Sequence, residues 1–88
     1  MADSRIRLSA HAVDEIRRRD LDRATVEAVA ANPDQRVPAF GGRTACQSRV
    51  TEGDRVYLLR VIVDERVTPA VIVTAYRTSR IEKYWRKT

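Results

Sequence analysis

The sequence predicts an α+β domain in which helices cover one face of an antiparallel sheet. Helical capping signals and apolar residues at helical spacing occupy the segment before Pro33, and period-two alternation between turn signals follows it. A chain of 88 residues has room for one modest core, so residues 1–88 are expected to form a single domain.

Two helices are predicted before Pro33. Each begins at a capping residue that follows an apolar residue able to pack back on the first turn. The capping residues are Ser9 and Asp22, and Asn32 with Pro33 ends the second helix.

About four strands are predicted after the helices. They are separated by the turn signals Gly41-Gly42 and Glu52-Gly53-Asp54 and by a polar loop, and they span residues 35–40, 43–51, 55–63 and 70–77. The first of them is expected at an edge, because Pro38 cannot donate to a ladder. A capping box at residues 79–82 then predicts a short C-terminal helical turn.

Alternation divides the two central strands into two faces. One face is apolar and should pack against Val13, Ile16, Val26 and Val29 of the helices; it consists of Tyr57, Leu59, Val61, Val63, Val71, Val73 and Ala75. The other face carries Arg60, Thr74 and Tyr76. A loop centred on Val67 would place Arg60 opposite Thr74. Each of these three is an ordinary strand residue by itself, but together they offer a cation, a hydroxyl and a phenol on one patch.

Positive charge is concentrated near the C-terminus. The net charge is +5 and the pI is about 10.1, and the whole excess lies after Phe40. Most of it lies in the last twelve residues, where Arg77, Arg80, Lys83, Arg86 and Lys87 are opposed by Glu82 alone. Such a cluster attracts a polyanion through counterion release, although a solvated basic tail has the same composition.

Other chemistry has little support in the composition. His11 is the only histidine and Cys46 the only cysteine, so neither a metal site nor a disulfide is expected, and no cofactor motif is visible. His11 is of a type suited to general acid–base catalysis, but a lone histidine is also an ordinary surface residue. Without an apolar N-terminal segment or a membrane span, the expected location is the cytoplasm.

Three segments carry a family resemblance: LSAHAVDEIRRRDLDRATVEAVAANPD, YLLRVIVD and VIVTAYRTSRIEKYW. They resemble a family of small bacterial domains of unknown function that is grouped with RelE-like and barnase–colicin-type ribonuclease toxins. The resemblance covers nearly the whole chain. It departs at Asp20, where many relatives have Gly after the arginine that ends the first helix.

The resemblance implies a curved antiparallel sheet and metal-independent RNA cleavage. It also implies RNA as the partner, ribosomes as a further one, and a cognate antitoxin protein. Carried over position by position, it assigns catalysis to His11, Arg60, Thr74 and Tyr76, and RNA or phosphate binding to Arg19 and Arg77, to which the basic cluster adds Arg80, Lys83 and Arg86.

The chemistry expected of these residues is attack of a ribose 2′-hydroxyl on the adjacent phosphate, which leaves a 2′,3′-cyclic phosphate. His11 would serve as base or acid, Arg60 and Arg77 would stabilise the phosphoryl oxygens, and Thr74 and Tyr76 would orient them. Two other functions stay open. The domain could bind RNA or a protein without cleavage, with Tyr84 and Trp85 as stacking groups, or it could be an interaction module with an incidental basic tail.

Overall fold

The described chain, residues 6–87 of a computed structural model, folds as three helices and a five-stranded mixed sheet. The predicted α+β class is confirmed. The helices are α1 (Ala10–Arg18), α2 (Arg23–Ala31) and α3 (Ile81–Tyr84). The strands are β1 (Arg7–Leu8), β2 (Gln35–Pro38), β3 (Thr44–Glu52), β4 (Arg55–Asp64) and β5 (Val71–Thr78), and a 3₁₀ turn spans Phe40–Gly42.

Both N-terminal helices begin at the predicted caps. The Ser9 side chain accepts the backbone N–H of Ala12 at 3.0 Å, and Asp22 accepts that of Thr25 at 3.2 Å. The helix α2 ends at Ala31, immediately before Asn32 and Pro33. No helix within residues 6–87 is both long and apolar enough to cross a membrane.

The sheet differs from the prediction in two ways: it has five strands rather than about four, and one pair of strands is parallel. Its order is β1-β5-β4-β3-β2, with antiparallel pairs from β2 to β5 and a parallel pair between β1 and β5. The additional strand is Arg7–Leu8, which pairs with Val71 and Ile72. Two residues are too few to show alternation, which is why the sequence pattern gave no sign of β1.

A β-bulge changes which residues of β5 enter the core. Ile62 pairs with Thr74, but Val63 pairs with Ile72, so the ladder skips Val73. Ile72 is therefore fully buried, and the prediction that Val71 and Val73 fill the core is wrong because both are only half-buried. Val13 and Tyr57 are also half-buried; the other predicted core residues, Ile16, Val26, Val29, Leu59, Val61, Val63 and Ala75, lie in the core as expected.

The face of the sheet opposite α1 and α2 is called the second face below. Leu58 alternates onto this face and is fully buried, although it lies outside the main core cluster. The chain after β5 returns to Gln35 and Gln47. The predicted capping box at Ser79 is wrong: α3 begins after Arg80 without a side-chain cap, and the Thr78 hydroxyl instead accepts the Arg80 N–H at 3.0 Å.

Candidate functional site

Arg60 lies in the middle of a row of three polar side chains that crosses the second face. Gln47 on β3 pairs with Arg60 on β4, which pairs with Tyr76 on β5. Arg60 Nε donates to Gln47 Oε1 at 2.9 Å, and Arg60 Nη1 donates to the Tyr76 hydroxyl at 2.6 Å. The predicted pairing of Arg60 with Thr74 is wrong by two residues, and Tyr76 takes that place. The predicted patch on one face nevertheless forms.

Aromatic rings surround the Arg60 guanidinium. Its Cζ atom lies 4.3 Å from the centroid of the Tyr84 ring and 5.8 Å from that of Tyr76. The two tyrosine rings meet edge to face at 6.4 Å. Lys83 Nζ lies 5.2 Å from the same Tyr84 ring, so two cations share it. Cation–π contacts hold a guanidinium without neutralising it, which leaves its charge available to an anion.

A groove of about 500 Å³ opens beside this cluster. Its walls are Pro38, Ala39, Phe40, Arg43, Arg60, Ile62, Val73, Thr74, Tyr76 and Tyr84, which include two arginines and no carboxylate. Within residues 6–87 Arg60 has no ion-pair partner, whereas Arg77 pairs with Glu52 and Arg36 with Glu65. A half-buried cation without a counter-charge favours an anionic ligand.

Gln47 holds this cluster in place through hydrogen bonds, and it was not identified from the sequence. Its side chain is fully buried, accepts from Arg60, and donates from Nε2 to Gln35 Oε1 at 2.8 Å and to the Tyr84 carbonyl at 3.1 Å. A buried amide group whose hydrogen bonds are all made holds the groups that it bonds in fixed positions. The signal that could have identified Gln47 is its pairing with Arg60. That pairing is visible only once the register of β3 against β4 is known.

Arg19 reaches the same region from the end of α1. Its Nη1 donates to the Thr74 hydroxyl at 3.3 Å and to the Ala75 carbonyl at 2.7 Å. Its Nη2 pairs at 2.6 Å with Glu15, whose side chain is buried and also pairs with Arg18. Because β1 covers only Val71 and Ile72, the remaining edge of β5 is open for this contact within the described chain. Glu15 therefore holds Arg19 against Thr74, and Thr74 lines the groove.

His11 lies apart from this cluster. It is exposed in the first turn of α1, on the side of the sheet that the helices cover, and it is not among the groove residues. Within residues 6–87 the imidazole side chain of His11 makes no hydrogen bond or ion pair. The structure therefore corrects the expectation that His11 lies beside Arg60, because helix α1 packs on the opposite face of the sheet.

Arg77 also lies on the helix-covered side. It pairs in the ladder with the core residue Leu59, bonds Glu52 at 3.1 Å and lies 5.7 Å from the Tyr57 ring. Arg60 and Arg77 thus project from opposite faces, so the expectation that both grip one phosphate is wrong. Successive residues of a strand alternate, and Arg77 directly follows Tyr76.

The basic C-terminal segment is anchored over residues 81–86. The Arg86 N–H donates to Gln35 Oε1 at 3.0 Å, and its carbonyl accepts from Gln35 Nε2 at 2.7 Å. The Arg49 guanidinium lies 4.3 Å from the Trp85 ring centroid. Arg80, Lys83 and Arg86 themselves are exposed, and Lys83 contacts the Tyr84 ring that lines the groove.

Two further ionisable groups, Cys46 and Glu65, do not line the groove. Burial raises the pKa of the Cys46 thiol above its usual value. Hydrogen bonds from Arg36 and then from Thr44 lower the pKa of Glu65 and commit that carboxylate to them. Within residues 6–87, no three His, Cys, Asp or Glu side chains come together in a metal-ligand arrangement.

Comparison with known proteins gives one match. Residues 8–77 match the family model described as "Domain of unknown function (DUF4258)". No significant match was found among curated proteins or among solved structures. The matched region contains Arg19, Arg60, Thr74 and Tyr76, and it ends before the anchored basic segment begins.

Proposed function

The chain belongs to the DUF4258 family, and we propose that it is a metal-independent endoribonuclease of the toxin type. The observation that carries the proposal is the Arg60 guanidinium. It is held by Gln47 and Tyr76, lies against the Tyr84 ring, and faces a groove to which residues 6–87 contribute no carboxylate. The sequence resemblance to RelE-like and barnase–colicin-type toxins supports the choice of RNA and the corresponding fold.

The proposed reaction uses the groove residues in distinct roles. The ribose 2′-oxygen forms a bond to phosphorus while the bond from phosphorus to the 5′-oxygen breaks, and the 2′-hydroxyl proton leaves to solvent water. Arg60 stabilises the charge that develops on the phosphoryl oxygens. The Tyr76 oxygen already accepts from Arg60, so its own proton is available for the departing 5′-oxygen, and the tyrosinate then recovers a proton from solvent water. Thr74, with Arg19 behind it, orients the phosphate.

This assignment gives His11 no part in proton transfer. No imidazole or carboxylate lines the groove formed by the described residues. Arg60→Ala should therefore lower the cleavage rate by about 10²–10³-fold, the usual cost of one charge-stabilising donor. His11→Ala should change it little.

The deciding experiment incubates purified protein with a mixed-sequence RNA in excess chelator, alone and with ribosomes. Cleavage should persist, and the products should carry 2′,3′-cyclic phosphate ends. An RNA with one 2′-deoxyribose should resist at that position. Arg55→Ala, an exposed arginine at the other end of β4, is the matched control and should leave the rate unchanged. Protein that binds RNA and leaves it intact under both conditions contradicts the nuclease.

A non-catalytic RNA-binding module is the second candidate. It is favoured by the same absence of imidazole and carboxylate groups from the groove, because proton transfer would then depend on hydroxyl groups alone. In that case Arg60→Ala should abolish RNA binding, and no preparation should cleave. The two candidates therefore use the same site and differ in whether RNA is cleaved there.

A toxin of this type acts in the cytoplasm and is neutralised by an antitoxin protein, and both features belong to the proposal. Expression of the chain by itself should arrest growth, and Arg60→Ala should relieve the arrest at an equal protein level. A neighbouring reading frame should encode a protein that restores growth when co-expressed. Normal growth at a high level of folded wild-type protein counts against the toxin.

A further inference from the structure

Phe40 is the most exposed large apolar residue of the described chain, with 94% of its surface accessible. A single exposed apolar side chain is ordinary on a protein surface. The position of Phe40 is less ordinary, because it forms part of the wall of the same groove that contains Arg60 and Tyr76.

The loop that carries Phe40 is held closed. Gly41 and Gly42 adopt φ values of 74° and 77°, a left-handed conformation that favours glycine. The Ala39 N–H donates to the Arg43 carbonyl at 2.8 Å across the loop. Phe40 is thus presented to solvent by a tight turn, and a ligand that contacts it does not need to order a loose segment.

Arg43 lies on the other side of this turn and has an unused donor. Its Nε atom is buried and has no hydrogen-bond partner within the described residues. Its Nη1 atom lies 3.5 Å from the position that a Cβ atom on Gly41 would occupy, so the guanidinium folds back towards the turn. The Arg43 guanidinium thus has no acceptor at Nε among the described residues, and Arg43 is also part of the groove wall, where its positive charge favours an anionic ligand.

We infer that this groove holds one unpaired nucleotide of single-stranded RNA, with its base against Phe40 and its phosphate between Arg43 and Arg60. An aromatic face beside cationic groups is the combination that binds single strands without reading their sequence. The volume of about 500 Å³ lies within the range of roughly 300–1,000 Å³ typical of ligand sites. The inference rests on the proposed function in that RNA is the ligand, and it adds a base-stacking subsite.

The test is a binding cycle between protein and RNA variants. The probe is a fluorescein-labelled single-stranded RNA with 2′-O-methyl groups throughout, which the proposed reaction cannot cleave because the attacking hydroxyl is blocked, and binding is followed by anisotropy at constant salt. Phe40→Ala should weaken binding roughly 5- to 150-fold, the range for loss of one stacked base. Phe40→Trp should retain it. Val56→Ala and Val67→Ala, at exposed apolar residues outside the groove, are matched controls and should have no effect.

A second series replaces one base at a time by an abasic position. At the position that stacks on Phe40, the abasic probe should bind the wild type weakly, and Phe40→Ala should cause no further loss. Equal effects of Phe40→Ala and Val56→Ala overturn the subsite, whether or not the wild type cleaves RNA. A wild type that shows the full coupling but cleaves no RNA supports the subsite and contradicts the nuclease.

Discussion

The Arg60 guanidinium is fixed from both neighbouring strands, by the Tyr76 hydroxyl at 2.6 Å and by Gln47 Oε1 at 2.9 Å. These bonds use two different nitrogens, Nη1 and Nε, so the plane of the guanidinium is set as well as its position. Electrostatic stabilisation of a transition state depends on donors that are already oriented. The row formed by Gln47, Arg60 and Tyr76 therefore predicts that geometry matters here as much as charge.

Arg60→Lys tests this point, since lysine keeps the charge but lacks the planar fork. One ammonium group cannot reproduce the bonds to both Gln47 and Tyr76. RNA affinity should fall less than in Arg60→Ala, while the cleavage rate should fall nearly as far as in Arg60→Ala. Anisotropy and single-turnover cleavage give the two numbers. A lysine variant that cleaves at the wild-type rate would show that charge alone suffices.

Gln47→Leu should lower the free energy of unfolding by about 1–3 kcal/mol, because it removes the partner of three polar groups at a fully buried position. These groups are Arg60 Nε, Gln35 Oε1 and the Tyr84 carbonyl. Urea denaturation measures the change. Thr51→Ala, at an exposed position of the same strand, should stay within about 0.5 kcal/mol of the wild type. Equal stability of Gln47→Leu and the wild type would contradict the positioning role.

The polar patch on the second face was predictable from the sequence, whereas the residues that hold it in place were not. Alternation alone places Arg60, Thr74 and Tyr76 on one face, and the structure brings all three to one groove. Gln47 becomes recognisable only when the register of β3 against β4 is known. Residues that meet across strands carry no mark in a single sequence, and local patterns cannot supply their pairing.

The caps of α1 and α2 were predictable because a capping side chain acts locally, whereas the capping box predicted at Ser79 does not form. Ser9 and Asp22 act within three residues of their own positions. The positions of His11 and Arg77, by contrast, depend on tertiary structure and could not be predicted from local patterns. Their residue types suit phosphate chemistry, but the packing of α1 and the alternation of β5 place them away from Arg60. Residue type suggests chemistry, and tertiary structure decides which groups share a site.

Asp20→Gly should stabilise the domain. Asp20 has φ 54° directly after the C-cap of α1, where its N–H bonds the Arg17 carbonyl and the Leu21 N–H bonds the Ile16 carbonyl. This Schellman arrangement requires a left-handed residue and favours glycine. The gain should be about 0.5–1 kcal/mol in the free energy of unfolding, measured in urea. Asp20→Ala should lose stability, because alanine has neither the conformational freedom of glycine nor the polar side chain of aspartate. A loss in the glycine variant would mean that the Asp20 side chain contributes more than its backbone conformation costs.

Acid should weaken the turn between β4 and β5. Hydrogen bonds from Arg66 lower the pKa of the Asp64 carboxyl to about 2 from its usual 3.8. Since the unfolded chain takes up this proton near pH 3.8, the contribution of Asp64 to stability is fully present above that pH and is lost as pH falls towards 2. Carboxyl chemical shifts recorded by NMR against pH should give the low value. Arg66→Gln should return it towards 3.8. Titration of the wild-type carboxyl near 3.8 would contradict the pairing.

The bulge in β5 gives the neighbouring residues Ile72 and Val73 different degrees of burial. Ile72 is fully buried in the core, whereas Val73 is half-buried and lines the groove on the second face. Ile72→Ala should therefore cost about 2–5 kcal/mol through lost burial and the cavity left behind, and Val73→Ala should cost less than about 1.5 kcal/mol. Unbroken alternation from Ala75 would put Val73 inside and Ile72 outside, and would reverse the order. Urea denaturation of the two variants decides between these registers, and a larger loss at Val73 would show that the strand runs without a bulge.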